Sequence, residues 1–142
     1  MMTKKELKDS DTCLRLWAHE CTRIFGDRLI NNDDRMWMLE TIRECTRAPF
    51  GSNFDSVFAH LDTDKDGKIK SLDEFRGLLF GDIYTAFGMP DRPYEEIKDK
   101  EKLQKCADEA LGQYNLISDK PMNLVLFNFA IEHLLRIGRI LK

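Results

Sequence analysis

The stretch Leu14-Arg15-Leu16-Trp17-Ala18-His19-Glu20-Cys21-Thr22-Arg23-Ile24-Phe25-Gly26-Asp27-Arg28-Leu29 decides the fold class. Leu14, Trp17, Cys21, Ile24, Phe25 and Leu29 recur at spacings of three and four, the period of one face of an α-helix. The pattern predicts an amphipathic helix from Asp11 to Leu29, capped by Asp11 or Thr12. Asn31-Asn32-Asp33 breaks it and supplies the next N-cap. A second helix then carries Met36, Trp37, Leu39, Ile42 and Cys45 until Pro49 and Gly51.

Outward from there the periodicity continues. A short helix is expected over Asn53 to Leu61, with Phe54, Val57, Phe58 and Leu61 on one side. Another is expected over Leu72 to Phe80, burying Phe75, Leu78 and Leu79. Gly81 to Ile97 holds two prolines, two glycines and Tyr84, Phe87 and Tyr94, which reads as an ordered, mainly extended connector with room for a short strand. A fifth helix covers Asp99 to Asn115, apolar at Leu103, Cys106, Ala107, Ala110, Leu111 and Tyr114. After a turn at 115–121, a last helix over Met122 to Leu141 is apolar nearly all round in its first half, which requires burial on several sides. Arg136, Arg139 and Lys142 suit its C-terminus. The expected fold class is therefore all-α: a helical bundle with an embedded helix–loop–helix at 53–80 and a short extended connector at 82–98. The expected organisation is a flexible segment at 1–10, helices over 11–81, the connector, and helices over 99–142.

The chain has 142 residues, 42% hydrophobic and 33% charged, with a net charge of −3. That is enough for one ordinary domain or two small helical lobes. No basic stripe invites nucleic acid. The longest apolar run, Leu124 to Phe127, is too short to cross a bilayer, and the charged Met1–Ser10 does not read as a secretory leader. Cys13, Cys21, Cys45 and Cys106 form no CxxC pair and read as reduced thiols of a cytosolic compartment, Cys21 and Cys45 being core-packing residues.

One stretch is sharply patterned: Asp62-Thr63-Asp64-Lys65-Asp66-Gly67-Lys68-Ile69-Lys70-Ser71-Leu72-Asp73-Glu74. Alternating carboxylates at Asp62, Asp64 and Asp66 before Gly67 match the first half of an EF-hand loop, where oxygens from successive positions converge on one hard cation. Lys68 would contribute only its backbone carbonyl, and Ile69 takes the inward apolar position. The closing half departs from the pattern. Asp73 stands in the twelfth place instead of Glu, and Glu74 arrives one residue late. Lys65, Lys68 and Lys70 further weaken the local field. If the loop binds Ca²⁺ or Mg²⁺, the affinity for calcium is expected on the order of 10⁻⁵ to 10⁻³ M. The alternative is an acidic, glycine-containing turn between two helices. EF-hands work in pairs, and no second loop is present in the sequence.

Other constellations carry less. His19-Glu20 lacks the second histidine of a zinc-protease helix and reads as a surface or interhelical contact. His60 lies on the wrong rung to be a ligand, and Glu132-His133 reads as a packing or capping pair. The sequence contains no GxxxxGK[ST] phosphate loop, so no catalytic residue is assigned and no ATP hydrolysis is expected of the chain alone.

Two segments together resemble a dynein heavy chain. Leu14 to Leu29, followed by Asp33-Asp34-Arg35, is similar to the start of the helical lid of the third AAA+ module of the motor ring. Tyr94-Glu95-Glu96-Ile97, Tyr114-Asn115 and the run Met122 to Lys142 resemble the opening of the fourth module, with Leu79-Phe80-Gly81-Asp82 at the join. The resemblance spans residues 12–142. It implies a lid segment of an axonemal, inner-arm type of heavy chain, found in the cytoskeleton of a cilium or flagellum. The segment would relay nucleotide-driven motion between modules while ATP is bound elsewhere in the parent. The implied partners are neighbouring AAA+ modules, other dynein subunits and microtubules through the parent, with neither nucleic acid nor membrane. By analogy Arg15 or Arg23 would approach nucleotide as a lid sensor; the competing reading is an interhelical or surface salt bridge. A rival reading of the whole chain is a stand-alone calcium-binding module, which calcium-dependent exposure of an apolar groove would distinguish.

Overall fold

The computed structural model of the chain describes residues 9–50, 53–85 and 89–141. The segment 1–8, the Gly51 that was expected to help end the second helix, and Lys142 lie outside them. The chain forms two compact units that divide between Leu78 and Leu79. It is mostly helical but carries a two-stranded sheet, which takes it out of the all-α class. Among the described residues no helix is long and apolar enough to cross a membrane.

In the first unit, α1 spans Ser10–Ile24. It starts ahead of the expected caps because the Asp9 carboxylate accepts from the backbone N–H groups of Asp11 and Thr12 at 3.3 and 3.2 Å. Such a cap satisfies donors the helix leaves open. The helix ends at Ile24 and not at Leu29, giving way to a 3₁₀ turn at Gly26–Arg28. The backbone there runs close to its neighbours: a Cβ on Gly26 would lie 3.1 Å from Leu72 Cδ2 and 3.3 Å from Met38 Sδ. Helix α2 spans Asn32–Phe50, passing Pro49.

The buried side of α1 is a correction to the apolar stripe. Leu14, Arg15, Ala18, His19 and Thr22 are buried, whereas Trp17, Ile24 and Phe25 are 37%, 45% and 61% exposed. The inward face is turned by roughly 100° from the stripe, about one residue of helix. Polar side chains can sit inward because each finds a partner. Thr22 Oγ1 donates to the Ala18 carbonyl at 2.8 Å, Arg15 donates to Thr12 Oγ1 at 2.9 Å, and His19 bonds the Leu78 carbonyl.

Asn53 caps the one-turn helix α3, Phe54–Val57, and a 3₁₀ turn follows at Ala59–Leu61. The expected helix over Leu72 to Phe80 is instead a 3₁₀ turn, Leu72–Gly77, followed by extended chain. The reason lies at Leu78. Its N–H closes back three residues onto Phe75 at 2.9 Å, and its carbonyl turns to His19 and not along a helix. The core of this unit is aromatic. Phe58 is fully buried, with ring centroids 4.8 Å from Phe54 and 5.0 Å from Phe75. Pairs of this kind contribute about 0.5–1.5 kcal/mol beyond their area.

In the second unit, β1 (Leu79–Gly81) pairs antiparallel with β2 (Glu95–Ile97), in the register Leu79 with Ile97, Phe80 with Glu96 and Gly81 with Glu95. The connector thus leaves and returns along paired strands. Asp82 and Arg92 clasp its base with an ion pair at 3.4 Å and a bond from Arg92 to the Asp82 carbonyl at 3.2 Å. Phe80 stacks on Tyr94 with centroids 6.0 Å apart, and the Arg139 guanidinium lies 4.4 Å from the Tyr94 ring centre. Helix α4 (Lys100–Ile117) is capped by Asp99, and α5 spans Asn128–Ile140. Leu79, Ile97, Leu103, Ala107, Ile131 and Leu135 form the core between sheet and helices.

The last helix therefore begins at Asn128 and not at Met122. Residues 121–127 are non-helical because α4 side chains take up their backbone groups: Asn115 brackets Met122, accepting from its N–H and donating to its carbonyl at 2.8 Å each, and Gln104 donates to the Leu126 carbonyl. Met122, Leu124, Val125 and Phe127 are exposed in the chain, contrary to the burial their composition suggested.

At Gly81 a Cβ would lie 2.6 Å from Leu135 Cδ2 and 3.0 Å from Ile97 Cδ1. Gly81→Ala is expected to destabilise the second unit by about 1–3 kcal/mol through overpacking. Faster amide exchange at residues 95–97 and in α5 would register it; unchanged exchange would mean the strand and helix have slack.

Candidate functional site

The acidic loop is built between α3 and the 3₁₀ turn at Leu72–Gly77. Ile69, 2% exposed, anchors it in the core. Both backbone groups of Ile69 are engaged within the unit: its N–H donates to Asp55 Oδ1 at 3.3 Å, and Arg43 donates to its carbonyl at 2.7 Å. Arg43 also lies 5.0 Å from the Phe54 ring centre and 3.4 Å from Asp55. The buried centre of the loop thus needs no second loop to satisfy it.

The five sequence-predicted side-chain ligands all lie against groups of the chain itself. Asp62 folds over its own loop, accepting from the Lys65 N–H at 2.8 Å and the Gly67 N–H at 2.7 Å. Lys65 and Gly67 adopt left-handed conformations, φ 58° and 83°, which tighten the turn. Asp66 accepts from the Lys68 N–H at 3.0 Å and pairs with the Lys70 ammonium, which also lies 3.9 Å from Asp64. That bond holds the Asp66 carboxyl below the usual carboxylate range and raises the Lys70 ammonium above its own. Asp73 pairs with Arg35. Glu74 accepts from the Lys70 and Ser71 N–H groups at 2.9 Å each, completing a capping box with Ser71.

Among the described residues no group of three His, Cys, Asp or Glu side chains is arranged to hold a metal ion. The physical cause is visible in sequence. Lys70 puts a cation where the carboxylates face, and Ser71 with Glu74 makes a helix-start signal that draws Glu74 to its own backbone.

Arg15 and Arg23 both turn back along α1. Arg15 reaches toward the helix start, with Asp9 at 3.9 Å, and Arg23 bonds Glu20 at 2.6 Å. The Nε of Arg23 is buried without a hydrogen-bond partner. The cysteines are free thiols. Burial, with Cys45 and Glu20 nearby, raises the Cys21 thiol above its ordinary range, so it is protonated and a poor nucleophile at neutral pH.

Sequence reasoning missed His19, which is not on the surface but 7% exposed, with Nδ1 2.9 Å from the Leu78 carbonyl oxygen. It also missed Arg43 and Asp55, since nothing local marks two residues that meet at Ile69. His19 left one trace: it lies four residues beyond Arg15 and three before Thr22, a polar row that only tertiary partners could justify.

No family model matches the chain. Curated relatives do match along its length. It is 38% identical over 144 residues to dynein axonemal heavy chain 12 of Mus musculus, covering 100% of this chain and 5% of the relative. It is 40% identical over 136 residues to dynein axonemal heavy chain 3 of Homo sapiens, covering 96% and 3%. The chain is homologous to axonemal dynein heavy chains. Against dynein axonemal heavy chain 1 of Mus musculus the identity is 32% over 142 residues. The chain spans 3 to 5% of the length of these dynein heavy chains. The homology supports a location in the ciliary or flagellar axoneme.

The Asp66–Lys70 pair gives the loop a defined pH response. A carboxylate with a lowered folded-state pKa contributes stability at pH values above its unfolded pKa, and that contribution is lost as pH falls through the folded value. The pair's contribution to the loop is therefore expected to be complete at neutral pH and to fade only below the ordinary aspartate range. A carboxyl-carbon NMR titration of Asp66 should give a midpoint below 3.8. A midpoint at or above that value would contradict the pairing.

Proposed function

We propose that this chain is a non-catalytic segment of an axonemal dynein heavy chain, the helical lid of the third AAA+ module running into the start of the fourth. In this reading residues 11–81 are lid helices, 82–98 the connector and 99–142 the helices leading into the next module. The observation that carries the proposal is the alignment of essentially the whole chain with several axonemal heavy chains at 30–40% identity, with no phosphate loop inside it. The residue resemblance at both ends of the chain supports the module assignment. Two compact units, one ending where the other's first strand begins, suit a piece that passes rigid-body motion from one neighbour to the next.

ATP hydrolysis and microtubule-based ciliary movement belong, in this proposal, to the parent motor. The segment's partners are the neighbouring modules of the same polypeptide, with other dynein subunits and microtubules reached through the parent. No ion is assigned to 62–74, because Lys70, Arg35 and backbone amides engage those carboxylates. Arg15 and Arg23 are read as supports of α1 through Asp9, Thr12 and Glu20, and not as nucleotide sensors.

The test belongs in the intact heavy chain. Three glycines inserted between Leu78 and Leu79 leave both cores unchanged but make the junction flexible. ATP turnover by the purified motor is expected to persist while microtubule gliding slows severalfold. Gliding at the parental speed would overturn the relay reading.

A further inference from the structure

Of the polar groups buried in the first unit, His19 holds the most consequential position. Its imidazole Nδ1 is 2.9 Å from the carbonyl oxygen of Leu78, a residue 59 positions away in sequence. A carbonyl oxygen only accepts, so Nδ1 carries the hydrogen and donates. Leu78 is 2% exposed and its N–H is already tied to the Phe75 carbonyl at 2.9 Å. Both backbone groups of this residue are therefore fixed, one by the 3₁₀ turn and one by α1. Leu78 closes the first compact unit and the next residue opens β1. Its own backbone, at φ −84° and ψ 98°, is where the chain changes from turn to strand.

We propose that His19 is a positioning residue that latches α1 to Leu78, so that the 3₁₀ turn at Leu72–Gly77 ends there and the first unit is closed at its last residue. The inference rests on the relay reading and gives it a mechanical point of attachment. The surroundings make the latch stiff. Leu14 and Ala18, on the same face of α1, are fully buried, and Thr22 one turn on spends its hydroxyl on the helix itself. A buried carbonyl deprived of its donor is costly, so the bond has no cheap alternative.

The test uses the 142-residue chain. In the wild type, nitrogen-15 NMR of His19 is expected to show a hydrogen on Nδ1 that is protected from exchange. An Nε2–H tautomer with bare Nδ1 would overturn the proposal whether or not any variant folds. Next, His19→Ala is compared with His19→Asn, whose Nδ2 branches from the same Cγ position as the ring Nδ1. His19→Ala is expected to speed amide exchange at residues 78–81 at least about tenfold, equivalent to 1.4 kcal/mol, with amides in α2 and α4 unchanged. His19→Asn should restore most of the protection. Equal acceleration in α2, or no acceleration at 78–81, would refute the latch. The relay reading fails separately, on gliding speed in the intact motor, so a confirmed latch with normal gliding in the glycine-insertion motor would remove the relay alone.

Discussion

The first unit depends on the burial of Phe58 against Phe54 and Phe75. The pieces around this cluster are too short to stand by themselves: a four-residue helix, two 3₁₀ turns and a loop. Helical turns of that length cannot offset their nucleation cost in water, so they persist only by packing. Phe58 lends that packing to the turn on either side of the loop, and Ile69 plugs the loop into the same core. Loss of a fully buried phenylalanine costs about 3–5 kcal/mol, a large part of the stability of a domain of this size.

Seen from that core, the acidic loop is a way of closing a turn. Its carboxylates follow the spacing that cation loops use, because both kinds of loop must fold a short chain back through a glycine. Positive charge reaches these carboxylates from close by. Lys70, Arg35 and the N–H groups of Lys65, Gly67, Lys68, Lys70 and Ser71 supply it from the chain itself. Arg43 and Asp55 do the same for Ile69, where an isolated loop would otherwise leave both backbone groups open.

The helical character of most of the chain was legible in its periodicity, and the long helices α1, α2 and α4 lie close to where the apolar spacing put them. What periodicity could not give was rotation. On α1 the widest apolar stripe contains Trp17, Ile24 and Phe25, yet the inward face carries Arg15, His19 and Thr22, because distant or local acceptors make their burial cheap. Leu72–Gly81 reads as a helix from its leucines, but the Leu78 carbonyl answers to His19, so the turn stops and a strand begins. Met122–Phe127 reads as buried helix from composition alone, while Asn115 and Gln104 hold its backbone out of helix. The carboxylate spacing at 62–74 was plain; that Glu74 would cap its own turn was also written in Ser71 to Glu74, a competing signal of equal clarity. Trp17, Ile24 and Phe25 of α1, and Met122, Leu124, Val125 and Phe127, remain exposed in the chain.

The chain holds its acidic loop closed with its own groups. The most direct measurement is the thermal unfolding of the wild-type chain in chelator and again in millimolar calcium, followed by tryptophan fluorescence. A ligand that binds only the folded state must raise the midpoint. The account predicts superimposable curves; a calcium-dependent rise in the midpoint would contradict it.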